Sequence, residues 1–133
     1  MEAAVSETRA FFERPHTHGR GHVAEEDGAR WLAANGYRIH ERNARTPAGE
    51  IDVVAWDGDT LCFVEVKARA SAEFGSAIEA VSQRQRRRLT RAAAVYLSEI
   101  GFKGPCRFDV LGLDADPERG EWRFTLVRNA FEA

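Results

Sequence analysis

Three carboxylates and one amine stand inside the two apolar runs of the stretch GEIDVVAWDGDTLCFVEVKAR, Gly49 to Arg69. Glu50 and Asp52 belong to the first run, Glu65 and Lys67 to the second, and none of them lies at the turn between. Acids crowded on a half-buried face repel one another and lose hydration, so something positive has to join them. A single lysine does not balance three acids. A divalent cation does, and carboxylate oxygens are the donors that hard ions such as Mg2+ and Mn2+ take. On pattern alone a second account stands beside this one: a salt-bridge cluster at the end of a sheet, with Lys67 paired to Glu65 or Asp52.

Spacing predicts the elements that must position these groups. Asp57-Gly58 is a hairpin dipeptide. With a loop of two or four residues, even positions of the first strand share a face with odd positions of the second. One face then carries Ile51, Val53 and Ala55 with Cys62, Val64 and Val66. The other carries Glu50, Asp52, Val54 and Trp56 with Leu61, Phe63, Glu65 and Lys67, apolar near the turn and charged at its far end.

Upstream, a helix from about Arg20 to Ala34, closed by Asn35-Gly36, has Gly28, Ala29 and Leu32 on its inward stripe. Glu25 shares that side and adds an oxygen donor. A strand at about Tyr37–Glu41 and a loop, RNARTPAG, lead into the hairpin. Downstream, SAIE (76–79) reads as a capping box that starts a long helix running to about Ile100. Strands at about Cys106–Leu113 and Trp122–Val127 finish the chain. This order predicts an α/β fold with a mixed sheet, the long helix serving as the crossover to a parallel strand.

The 133 residues suffice for one domain, spanning 19–133, behind a loosely ordered extension over residues 1–18. A formal net charge of −2 excludes a global field that draws in nucleic acid, so any polyanion binding has to come from a local patch. The run RQRRRLTR supplies one. Arg84, Arg88 and Arg91 fall on one flank of the long helix, and Arg42, Arg45 and Arg69 lie in loops near the charged end of the hairpin. The bland account of these arginines is a solvated face paired with nearby acids. Asp109, between Phe108 and Val110, reads as a structural ion-pair partner. No apolar run approaches the length of a membrane span. Cys62 and Cys106 lie in apolar runs and read as buried free thiols of a reducing compartment, which predicts a cytoplasmic protein.

The fragments GHVAEEDGARWLAANGYRI, RN-x-R, GEIDVVA, FVEVKAR and CRFDV, in that order, resemble the YraN-type family of bacterial proteins. That family is similar to the restriction-endonuclease-like PD-(D/E)XK superfamily, with Holliday-junction resolvases as relatives. The resemblance implies a three-layer core with a mixed central sheet flanked by helices. It makes Asp52 the metal-binding aspartate, Glu65 and Lys67 the acid and lysine of E-x-K, and Glu25 the helix glutamate of the resolvase-like branches. Asp52, Glu65, the Val66 carbonyl and Glu25 would then hold Mg2+ or Mn2+. The implied activity is a DNA endonuclease acting on branched or single-stranded DNA, in a homodimer. A catalytically inactive nucleic-acid- or partner-binding module is the alternative. Where the family pattern expects Lys-Gln at the start of the long helix, this chain has Gln85-Arg86. Helical spacing puts Gln85 on the inward stripe between Val81 and Leu89, so it either stands in for that pair or marks a weakened site.

Overall fold

The computed structural model describes residues 4–10, 20–70 and 75–132. Its elements are β1 (Ala4–Ala10), α1 (Arg20–Ala34), β2 (Arg38–Thr46), β3 (Gly49–Asp57), β4 (Thr60–Arg69), α2 (Gln83–Ile100), β5 (Cys106–Asp116) and β6 (Glu121–Phe131). The strands form one six-stranded sheet in the order β1-β6-β5-β4-β3-β2. β4 and β5 run parallel and every other neighbouring pair antiparallel, which is the mixed sheet that a helical crossover produces.

The helices lie on opposite faces. Ala24, Ala29, Trp31 and Leu32 of α1 pack with Val53, Cys62, Val64 and Leu111. Leu89, Ala92, Ala93 and Tyr96 of α2 pack with Val54, Leu61, Phe63 and Phe108. The product is a three-layer α/β molecule, consistent with a restriction-endonuclease-like core. Gly28 sets how closely α1 approaches. A Cβ there would stand 3.2 Å from Val66 Cγ1 and 3.3 Å from Leu111 Cδ2, so the missing side chain lets the helix lie on β4 and β5. Glu25, one turn earlier, comes down beside the open end of the hairpin.

That hairpin has the expected register, with Val53 opposite Val64, Ala55 opposite Cys62 and Asp57 opposite Thr60. Gly58 takes the left-handed conformation (φ 59) that the two-residue turn needs. Ile51 departs from the expected face. The β3–β4 ladder ends at Val53 and Val64, and below that point β3 follows β2, with Ala44 opposite Ile51 and Arg45 opposite Glu50. Ile51 therefore joins the cluster under α2, and the alternation breaks at Asp52.

Four further differences stand beside this one. RNARTPAG is not a loop: β2 continues to Thr46, and only Pro47 and Ala48 form the turn. As an edge strand β2 is mostly exposed on both faces, so it carries no apolar alternation to read. Arg42 and Arg45 consequently sit in a strand, as does Arg69 at the end of β4. The long helix starts not at Ser76 but after Ser82. Ala77 N–H donates to Asp114 Oδ1 (2.8 Å) and Ile78 seats against Gly112, which holds a single 3-10 turn, Ile78–Ala80, to β5. Ala4–Ala10, inside the expected extension, pairs with β6 as an edge strand, and the remainder of 1–18 lies outside the described residues. Cys62 is buried, but Cys106, first residue of β5, is exposed. Among the described residues no helix is long and apolar enough to cross a membrane.

Candidate active site

The site is an opening in the sheet. Beyond Val64, β4 keeps β5 on one edge as far as Arg69 opposite Asp114, while β3 leaves its other edge. Val66, which a continued ladder would place opposite Ile51, donates its N–H to Asp52 Oδ2 instead (2.9 Å). A strand residue turns its N–H and C=O to the same edge, so the Val66 carbonyl is directed into this opening as well. The carboxylate replaces a backbone partner, and this is why an aspartate can stand in the middle of an apolar strand.

Burial first and then the Glu65 carboxylate, with smaller contributions from Glu25 and Glu50 and against the Val66 N–H, together bring the Asp52 carboxyl up to about 8. Burial likewise raises Glu65, while the Arg88 guanidinium and then the Lys67 ammonium pull it back down. These directions place four acids and two cations in one electrostatic neighbourhood. Arg88 arrives there because Gly49 opens β3 at φ 142, a conformation that favours glycine. A Cβ on Gly49 would lie 3.2 Å from Arg88 Cγ, so the stem of Arg88 covers the start of β3.

Asn43 was not singled out as a site residue from the sequence. It lies in β2 at φ 52, a left-handed conformation that asparagine tolerates better than most side chains. With its amide nitrogen toward the acids, the orientation that the surrounding oxygens require, it donates to Glu25 Oε2 (2.5 Å) and Glu50 Oε1 (3.2 Å). The only trace of this in the sequence is an asparagine inside the RN-x-R fragment.

The sequence-derived residues separate into two groups. Asp52, Glu65, Lys67, Glu25 and the Val66 backbone come together, with Arg88 joining from α2. Gln85 is engaged elsewhere: its Oε1 accepts from Ser82 N–H (2.8 Å) and its own N–H donates to Ser82 Oγ (3.1 Å), closing the capping box of α2. Arg84 and Arg91 are exposed on α2, and Arg45 is exposed opposite Glu50. Arg69 is half-buried, and its Nε has no hydrogen-bond partner among the described residues. Asp109 is structural, accepting from Tyr37 Oη (2.8 Å), Arg107 Nε (2.9 Å) and Asn129 N–H (2.9 Å). Asp27 is also buried and accepts from Trp122 Nε1 (2.8 Å).

The donors suit a hard cation in kind, being carboxylate and carbonyl oxygens without sulfur or imidazole. They share a neighbourhood without converging on one point: among the described residues no three acidic, histidine or cysteine side chains stand close enough to share one ion. Asp52 is drawn toward Val66 N–H, and Glu25 and Glu50 are tied to Asn43.

Residues 24–113 match the sequence profile of the uncharacterised protein family UPF0102, a span that contains every acid of this opening and Arg88. The chain is 46% identical over 114 residues to a UPF0102 protein of Symbiobacterium thermophilum, covering 85% of this chain and 96% of that one. It is 44% identical over 113 residues to a UPF0102 protein of Moorella thermoacetica, covering 84% and 94%. A UPF0102 protein of Chromohalobacter salexigens is 41% identical over 114 residues, covering 86% and 91%.

Proposed function

This chain belongs to the uncharacterised protein family UPF0102, the YraN family, and we propose that it is a metal-dependent nuclease hydrolysing phosphodiester bonds of DNA. One observation carries the reading: Asp52 stands in a gap of the sheet on the Val66 N–H, crowded by Glu65, Glu25 and Glu50 and flanked by Lys67 and Arg88. Asp52, Glu65, the Val66 carbonyl and Glu25 are the groups that would hold Mg2+ or Mn2+. The cation, when bound, supplies charge that offsets the negative charge building on the scissile phosphate. Lys67, whose ammonium acts on Glu65, would hold the attacking water or stabilise the oxyanion. Arg88, over the start of β3, would bind a phosphate beside the scissile one, with Arg84 and Arg91 along the same helix.

A cleavage panel on single-stranded, duplex, flap and four-way-junction DNA with Mg2+ or Mn2+ tests this. The expected result is cleavage of at least one substrate, reduced by about 100-fold or more in Lys67→Ala, a loss that contaminating nucleases would not show. No Lys67-dependent cleavage of any substrate would overturn the reading. A second reading, a nuclease fold kept as a nucleic-acid-binding module, is favoured by one observation, the engagement of Gln85 in the helix cap. Strand binding that depends on Arg88 without Lys67-dependent cleavage would select it.

A further inference from the structure

α2 carries a second feature that the acidic opening does not use. Arg86 projects about 200° round the helix axis from Arg88. On that side a cavity of about 310 Å³ lies between α2 and the end of β6, lined by Arg86, Arg87, Thr90, Arg91, Phe131 and Glu132 as well as Gln83. The Arg86 guanidinium lies 5.7 Å from the centroid of the Phe131 ring, which is itself stacked on Phe108 at 4.9 Å. This wall is therefore fixed on both sides of the ring. Arg86 Nε is buried and has no hydrogen-bond partner among the described residues. Among those residues, Arg86, Arg87 and Arg91 also have no carboxylate at ion-pair distance. The Thr90 hydroxyl already donates to the Arg86 carbonyl (2.9 Å), which leaves the guanidiniums and the Gln83 amide as the side-chain donors lining the cavity.

Three guanidiniums around one small cavity, none of them with a carboxylate partner among the described residues, call for an oxyanion that accepts several charge-assisted hydrogen bonds. A phosphate monoester fits best, since near neutral pH it carries about −1.5 to −2 charges where an internal diester carries a single one. We propose that this cavity binds a phosphate monoester, the terminal phosphate of a nucleic-acid strand, an assignment that rests on the nuclease reading above. Glu132, at the rim, opposes that anion and limits its affinity.

The test is fluorescence anisotropy in EDTA with internally labelled single-stranded oligonucleotides of one sequence, ending in 5′-phosphate, 3′-phosphate or hydroxyl groups only. One phosphorylated end is expected to bind about tenfold more tightly than hydroxyl ends. Arg86→Lys and Arg87→Ala should reduce that preference to about threefold or less, with hydroxyl-ended binding kept within about twofold. Glu132→Gln should widen it by about twofold, because an exposed like charge is removed. Should Arg86→Lys fail to fold, Arg87→Ala, at an exposed position, carries the test. Equal affinity for all ends, or a preference that survives Arg87→Ala, overturns the proposal. Equal affinity with strand binding intact removes the pocket and leaves the nuclease reading standing. An Arg87-dependent end preference without any cleavage does the reverse, and no strand binding at all in EDTA removes the pocket, the cleavage panel alone deciding the nuclease reading.

Discussion

Burial and three neighbouring acids hold Asp52 in a protonation state it would not adopt in water. The consequence for stability has a definite sign. Between its ordinary value of 3.8 and about 8, the unfolded chain gives up this proton while the folded chain keeps it. Folded protein then binds more protons than unfolded, so this carboxyl makes stability fall as pH rises through that window. In EDTA, Asp52→Asn should therefore be more stable than the parent at pH 8, by about 1–3 kcal/mol, with a shallower decline from pH 5 to pH 8 in urea unfolding. An unchanged slope, or a less stable variant at pH 8, would show that Asp52 is not strained by its surroundings. Asp52, Glu65 and Lys67 were legible in the sequence because charges inside apolar runs need a reason. Asn43 was not, since what sets it apart is a backbone dihedral and two carboxylates reaching it from α1 and β3.

The opening between β3 and β4 is what brings those charges into one candidate site, and it was only half legible. Turn chemistry at Asp57-Gly58 dictated the hairpin and its register. The parting of the strands depends on β3 following β2 below Val53, and the polar edge strand β2 has no alternation that announces it. The start of α2 shows a related ambiguity. Both SAIE and SQRQ carry a capping pattern, and the anchoring of Ala77 and Ile78 on β5 leaves the helix to use the second. If capping is the employment of Gln85, then Ser82→Ala and Gln85→Ala should each destabilise the fold by about 0.5–2 kcal/mol in thermal unfolding. Each should reduce cleavage only as far as it reduces folded protein. A cleavage loss in Gln85→Ala far beyond its loss of stability, not matched by Ser82→Ala, would return Gln85 to the active site.

Over the whole molecule, the charge is sorted rather than abundant. A chain of net charge −2 gathers four acids at one break in its sheet and five arginines along the first half of α2, with Arg88 where the two regions meet. The α/β class and the mixed sheet followed from element order, and the layering of helices on both faces was what the family resemblance implied. The electrostatic sorting did not follow, because it depends on Gly49 admitting the stem of Arg88 and on Gly28 admitting α1. The proposed nuclease function requires the acidic break to take up a cation. The most direct measurement is calorimetric titration of the purified protein with Mn2+, beside Asp52→Ala. A saturable binding event that weakens by about tenfold or more in the variant is the predicted result. No binding, or an isotherm indifferent to Asp52→Ala, would contradict it.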